Sequence, residues 1–465
     1  MMLRIKEKQL GLTGKKRLLL LLVWCAAAVN TYGQNTPLSP LVQLDSIKES
    51  SVKWDLQKCI DYAKKNNVQL NTLKYSQQTA QQQYYLAKAA VLPNLTGAVA
   101  QTAGHGNVAN LTTGQYQSQI TSSGTYGINS AWTLYQGGYL KSYIQQQNLA
   151  VESANLNVIT QENNMTLQIT QYYLNILLDK ESIVYQENVV GTSQAQLEQA
   201  ERQLSAGSIA RKNVAQFRSQ LANDKYTLIT SQNARRQDLL TLKQVLELPP
   251  TVTFDIVEPD TIISKTAIPA LEEVRDFALS SRPEVKNGQV SVDIANLALV
   301  EAKAGYKPTL TASGSIGSSY IDGNPRYFTQ LNNAFYQQVG LSLSIPIYTR
   351  RQNKTNIEEA KITIDQAKIN LMDTKNTLAL NVEKYYISAV NAQNQFAAAE
   401  ESFKYNQETY RIANQQLKLG VSSTVDFLQQ KELYIQALQQ FIEAKYNAAL
   451  TIQIYEFYNG QQVKL

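Results

Sequence analysis

Between Gln338 and Ile347 the chain alternates strictly. Val339, Leu341, Leu343, Ile345 and Ile347 interleave with Gln338, Gly340, Ser342, Ser344 and Pro346. A period of two belongs to a strand with one apolar and one polar side. The stretch TYGINSAWTLY does the same, setting Tyr126, Ile128, Trp132 and Leu134 against Thr125, Gly127, Asn129, Ala131 and Thr133. Two further stretches, NLTGAVAQTAG and TLTASGSIGSSY, alternate more weakly, with small residues on the second face. Elsewhere the pattern is helical. Helices of about 35 residues are predicted over Trp54 to Leu92 and Leu271 to Lys307, each ended by a proline that cannot continue them. Two much longer ones are predicted over Tyr139 to Ala206 and Gln352 to Leu419, without proline and with one glycine, Gly191. At ~1.5 Å per residue each would span on the order of 100 Å. A glycine, Gly207 or Gly420, stops each long helix, and a shorter helix returns.

The order of elements repeats. LAKAAVLPNL, from Leu86, answers VEAKAGYKPTL, from Val300, with Ala87, Lys88, Ala89 and Pro93 matching Ala302, Lys303, Ala304 and Pro308 at a spacing of 215. Tyr135 matches Tyr348, Tyr172 and Tyr173 match Tyr385 and Tyr386, and Gly207 matches Gly420, at a spacing of 213. The chain therefore reads as two copies of one unit. The expected organisation is a leader over 1–33, a first copy over 34–248, a proline-rich linker over 249–270 and a second copy over 271–465. Helices this long bury a seam against neighbours. Leu167, Ile169, Tyr172, Tyr173, Ile176, Leu177, Ile183 and Val184 offer one in the first copy, and Val382, Tyr385, Tyr386 and Val390 in the second. The remaining faces are rich in Gln, Asn, Ser and Ala, which suits a wall with water on both sides.

Charge removes one class of function. The formal net charge is +6, but Arg4, Lys6, Lys8, Lys15, Lys16 and Arg17 against Glu7 account for +5 of it. A remainder near +1 is no footprint for nucleic acid. The basic start, the apolar run Leu18 to Val29 and the small residues approaching Gly33 predict a secretory signal cleaved before Gln34. Lipidation at Cys25 is disfavoured by Trp24 before it. Cys59 is then the remaining cysteine, read as a small buried hydrophobe.

No run of ~18 apolar residues follows the leader, so any later meeting with a membrane must use strands. The strands approach the ~9–11 residues of a tilted membrane strand, and Trp132, Tyr135, Tyr139, Tyr320, Phe335, Tyr336 and Tyr348 gather at their ends. On this reading Ile128, Trp132, Leu341, Leu343 and Ile345 face lipid. Four strands cannot close a barrel, whose smallest bacterial forms have ~8, and lipid does not tolerate an open edge. The chain must assemble, and arithmetic alone leaves the number of copies open.

The opening helix LQKCIDYAKKNNVQL, the junctions AKAAVLPNL and AKAGYKPTL, the junctions AWTLYQGG and LSIPIYTRRQN, and the turn LKLGVSSTVDFLQQKELYIQA together resemble the TolC-type outer-membrane efflux protein family over nearly the whole mature chain. The resemblance implies an α+β membrane protein in the outer membrane of a Gram-negative-type cell. It implies a homotrimer with one twelve-stranded barrel continued by an α-helical periplasmic tunnel, serving as an exit duct for efflux or type I secretion. It also implies two partners, a periplasmic adaptor and an inner-membrane transporter. By the same resemblance, Gly207, Ser208, Gly420 and Val421 form the periplasmic tips where the adaptor docks. Asp426, Gln429 and Ser422 stand at the pore constriction, where family members often carry two acidic residues and an arginine. Only the first of those three positions keeps the family's residue. Asp426 could equally favour the start of its helix.

Catalytic chemistry is not expected. The one histidine, His105, is placed in a GHGN loop between strands, with no second histidine to make a zinc site, and GHGN lacks the lysine and helix of a phosphate loop. No cofactor is expected. The competing reading is a secreted coiled-coil structural protein or a periplasmic adaptor.

Overall fold

A computed structural model describes residues 52–109, 114–259, 262, 266–321 and 327–463. The leader and Cys25 lie outside these residues. In chain order the first copy comprises β1 (Val52–Trp54), α1 (Leu56–Asn66), α2 (Val68–Ala89), β2 (Thr96–Ala109), β3 (Tyr116–Gln136), α3 (Tyr139–Ser205) and α4 (Arg211–Val245). The strand β4 (Phe254–Ile256) follows. The second copy comprises α5 (Leu271–Ser281), α6 (Pro283–Ala304), β5 (Thr309–Ile321), α7 (Tyr327–Asn333), β6 (Tyr336–Ser344), α8 (Gln352–Lys418) and α9 (Thr424–Tyr458).

The duplication is visible in the element bounds. Those of α8 and α9 each lie 213 positions after those of α3 and α4 (139 to 352, 205 to 418, 211 to 424, 245 to 458). Each predicted opening helix is in fact two. Asn67 ends α1 and caps α2, its side chain accepting from the Leu70 amide. Arg282 separates α5 from α6, whose first residue Pro283 has no amide hydrogen to donate. At these breaks the short helices meet the returning ones end to end. The Val68 amide donates to Glu247 just past α4 at 2.9 Å, and the Arg282 guanidinium lies 4.8 Å from the Tyr458 ring at the end of α9. Each long helix is thus flanked along its length by a stacked pair, α2 with α4 beside α3 and α6 with α9 beside α8.

The seam between α8 and α9 is aromatic with a seven-residue step. Phe396, Phe403 and Tyr410 on α8 interleave with Phe427, Tyr434 and Phe441 on α9, with ring centroids 4.9–5.9 Å apart. Val382 and Ala389 continue the same register upward and are fully buried. A strict seven-residue repeat keeps the seam facing its partner by a gentle left-handed coil. In the first copy Ile169, Tyr173, Ile176 and Leu177 are buried as the periodicity predicts, whereas Val184 is exposed.

Two features escaped the sequence pattern. β1 and β4 pair in parallel, and the Tyr173 hydroxyl fastens this two-stranded sheet to α3 by donating to the Val257 carbonyl at 2.6 Å. Cys59 is buried beside it, and burial pushes its thiol up to about 12. His105 does not sit in a loop: it lies within β2, opposite Ile120, because the hairpin runs on to Ala109 and Tyr116.

Candidate functional site

The four longer strands form an antiparallel sheet in the order β2-β3-β5-β6, which leaves β2 and β6 as unpaired edges. Directly opposed residues in an antiparallel pair share a face, so the register sorts every side chain. One face carries Val99, Ile128, Trp132, Leu310, Ile316, Val339, Leu341 and Leu343, interrupted by Ser130, Gln337 and, at its distal end, Gln101. The other carries Thr96, Ala98, Ala100, Thr102, Ser123, Thr125, Asn129, Ala131, Thr311, Ser313, Ser315, Gln338, Ser342 and Ser344, with no ionisable acid or base among them. Val339, Leu341 and Leu343 are 88%, 72% and 59% exposed. A bulge between Thr133 and Tyr135 makes Leu134 the extra residue and returns Tyr135 to the apolar face opposite Leu310. Ile345 falls one residue beyond β6, because Pro346 has no amide to extend the ladder. It is exposed there.

Aromatic residues bound the apolar face. Trp132 and Tyr135 lie toward the helices, where the Trp132 indole donates to the Val91 carbonyl at 2.7 Å. At the other end Tyr126, Tyr320 and Tyr327 cluster, the Tyr126 and Tyr327 hydroxyls 3.0 Å apart. Tyr327 comes from α7, which lies over this face with Ser318 bonding to the Leu331 carbonyl.

At the far end of the helices the two turns are built alike. Gly207 and Gly420 both have φ +74°, a left-handed conformation that a Cβ disfavours. The Gly207 amide bonds the Leu204 carbonyl and the Ser208 amide the Gln203 carbonyl. The Gly420 amide bonds Leu417 and the Val421 amide bonds Gln416 in the same way. These paired bonds satisfy carbonyls that a helix end otherwise leaves open. Ser423 then caps α9: its hydroxyl accepts from the Asp426 amide at 3.1 Å and donates to the Asp426 carboxylate at 2.6 Å. Asp426 and Gln429 are exposed on the first turn and a half of α9, and Ser422 is half-buried in the turn.

The turns are held together above their tips. Phe217 of α4 and Phe427 of α9 pack at 6.2 Å inside a cluster with Leu197, Leu221 and Ala413. Between the two helical hairpins lies a cleft of about 430 Å³ lined by Gln203, Ser208, Lys212, Asn414, Lys418 and Ser422 among others. Immediately above is a charged layer that sequence reasoning missed. Lys431 of α9 is 2% exposed and Asp224 of α4 is 5% exposed, with Nζ to Oδ2 at 3.0 Å. Ser193 of α3 bonds to both, and Gln220 donates to the other Asp224 oxygen at 2.9 Å. Burial lowers the Lys431 pKa, and the Asp224 carboxylate opposes that shift. The missed signal was phase. Phe427, Lys431 and Leu438 fall on one helix face, as do Phe217, Leu221 and Asp224.

Among the described residues no three His, Cys, Asp or Glu side chains are placed to hold a metal ion. No helix among them is long and apolar enough to cross a membrane.

The profile of the family described as "Outer membrane efflux protein" matches residues 59–247 and 274–453. The chain is 26% identical over 405 residues to the "Toxin and drug export protein A" of Aggregatibacter actinomycetemcomitans, covering 84% of this chain and 83% of that protein. It is 21% identical over 419 residues to the "Proteases secretion protein PrtF" of Dickeya chrysanthemi, covering 84% of each. Its structure resembles the Campylobacter jejuni CmeC outer membrane channel with a TM-score of 0.75 at 16% identity, covering 88% of this chain and 87% of that one.

Proposed function

The chain belongs to the outer membrane efflux protein family and is an outer-membrane exit duct reaching into the periplasm, and we propose that it works as a homotrimer with an open lumen lined by the uncharged face of its sheet. The observation that carries this reading is the sheet itself: four strands, two open edges, and two faces of opposite chemistry. Lipid offers no partner to an edge amide. β6 of one copy therefore pairs with β2 of the next, and three copies make twelve strands.

The dimensions suit a bilayer. On β5, Leu310 stands at the level of Tyr135, and Tyr320 at the distal aromatic cluster, ten residues further on. At ~3.4 Å per residue and a tilt near 40° this is about 26 Å of height, against the ~25 Å apolar band of such barrels. Ile128, Trp132, Leu341 and Leu343 then face lipid, and Ile345 lies at its inner margin. The helices carry the duct onward, about 100 Å for a 67-residue helix.

At the periplasmic end, Gly207, Ser208, Gly420 and Val421 form the tips that meet an adaptor, which in turn joins the duct to an inner-membrane transporter. Asp426 lines the narrowest point beside Gln429 and Ser422, and its capping bond with Ser423 fixes the carboxylate there. Relatives named for toxin and drug export and for protease secretion support a cargo set by the pump rather than by the duct.

The test is electrical. Reconstituted in planar bilayers, the native trimer is expected to conduct with a preference for cations. Asp426→Asn should reduce that preference while leaving assembly intact, because Ser423 still caps α9 and the asparagine oxygen can accept from its hydroxyl as the carboxylate does. Absence of conductance at any voltage would remove the duct reading, and an unchanged reversal potential in the variant would leave Asp426 as a helix cap only. Photo-crosslinkers at Ser208 and Val421 test docking separately: an adaptor-sized product from the intact cell supports it, and crosslinks confined to neighbouring copies refute it.

A further inference from the structure

The two copies make the same turn from strand into long helix with different residues. In the first copy Gly137 and Gly138 take φ of +62° and +92°; at the equivalent places in the second, Arg350 and Arg351 take φ of +47° and +69°. Glycine enters this region freely, whereas a residue with a Cβ is disfavoured there. The second copy thus keeps two arginines at a turn that the first copy makes with glycine.

Their surroundings say what they meet. Both arginines are exposed, and neither guanidinium has an ion-pair or hydrogen-bond partner among the described residues. They follow directly on the apolar face of β6, through Ile345, Ile347 and Tyr348, which are 58%, 95% and 84% exposed. Lys354 is exposed on the first turn of α8, and Lys303 lies in the last turn of α6, which α8 meets where Asn353 donates to the Gly305 carbonyl; Lys307, beyond the helix, donates to the Gly137 carbonyl. Exposed apolar and aromatic residues followed within a few positions by unpaired cations match the depth profile of a membrane surface, where acyl chains give way to phosphates.

We propose that Ile347, Tyr348, Arg350 and Arg351 form a binding site for the phosphate headgroups of anionic phospholipids in the periplasmic leaflet, one site per protomer. The inference rests on the reading that the apolar face of β6 lies in lipid. The Ile347 side chain enters the acyl margin, Tyr348 sits at the glycerol level, and the two guanidinium forks take phosphate oxygens, for which arginine's planar donors are suited. Lys354 adds charge without the fork. The first copy, with Gly137 and Gly138, has no counterpart, so the sites alternate around the barrel with plain turns.

The test uses a substitution that the fold itself supplies. Arg350→Gly with Arg351→Gly gives the second copy the turn of the first, so assembly should persist, with thermal stability of the trimer equal or higher. The full-length trimer is placed in nanodiscs of phosphatidylethanolamine containing phosphatidylglycerol, and the lipid retained after detergent extraction is measured by native mass spectrometry. The native protein is expected to retain phosphatidylglycerol preferentially. The double variant should lose this preference by about 5-fold for each arginine, and high salt should weaken it in the native protein. Equal enrichment in native protein and variant, or failure of the glycine variant to assemble, would overturn the site. Quenching of Trp132 fluorescence by brominated lipid reports separately on the strands: its absence in native protein would remove the lipid reading and the site with it, whereas quenching with unchanged enrichment removes the site alone.

Discussion

Asp224→Ala is expected to open the tip of the helical bundle locally by about 3–5 kcal/mol, the cost of leaving a buried charge without its partner. Lys431 would then face Ser193 alone in a site from which water is excluded. Amide hydrogen exchange in α4 and α9 near this layer should accelerate by about two to four orders of magnitude, up to the limit set by the region's own opening energy. The pH dependence follows from the sign of the lysine shift. Burial already depresses the Lys431 pKa below its ordinary value of 10.5, and losing Asp224 depresses it further. The folded variant therefore binds fewer protons than the unfolded chain between that lowered pKa and the ordinary lysine range, and stability rises with pH across that window. The variant should be weakest below that lowered pKa and recover as the pH rises toward the ordinary lysine range. Asp224→Leu combined with Lys431→Met removes both charges and should restore most of the native protection. Native exchange rates in Asp224→Ala would mean that the pair is wet and contributes nothing.

That pair also shows where the sequence stops being legible. The duplication, the two long helices and the glycine turns could be read directly, because a constant offset, a lack of proline and a φ that only glycine takes easily are local signals. The pairing of Phe427 with Tyr410 and of Tyr434 with Phe403 was implicit in the seven-residue steps. Lys431 and Asp224 stand in phase with those apolar positions, yet a charged residue on a polar helix reads as solvated until a second buried charge is found opposite it. Reading each opening helix as one misses the breaks at Asn67 and Pro283, although a capping side chain and a missing amide mark them. β1 and β4 were not legible, since three residues carry no period and their pairing spans two hundred positions of chain. For the tips the sequence supplied position and turn chemistry. The capping bond between Ser423 and Asp426, which holds the carboxylate in place, required coordinates.

The sheet register turns a qualitative expectation about the membrane face into a graded one. Periodicity alone makes Leu341, Leu343 and Val339 equivalent. Pairing places them at different depths. Leu343 stands opposite Leu310, at the level of the Tyr135 girdle, while Val339 stands opposite Gly314, about midway to Tyr320. Four residues along a strand tilted near 40° separate them by about 10 Å of depth. A lysine near the midplane of such a barrel costs about 2–4 kcal/mol, and one near the interface about 0–1, because its ammonium reaches the headgroups. Val339→Lys is therefore expected to deplete the heat-resistant trimer in outer membranes severely, whereas Leu343→Lys leaves it near the native level. Ser342→Lys, on the opposite face, should assemble normally and shift conductance instead, since water solvates its charge there. A severe loss in Ser342→Lys with a mild one in Val339→Lys would invert the faces, and comparable losses in both would remove the distinction between them, in either case overturning the assignment of the uncharged row of Ser, Thr and Asn to the lumen. A severe loss in Leu343→Lys with a mild one in Val339→Lys would keep the faces but move the bilayer toward the helices, setting Ile347 and Tyr348 within the apolar band and Arg350 at its edge.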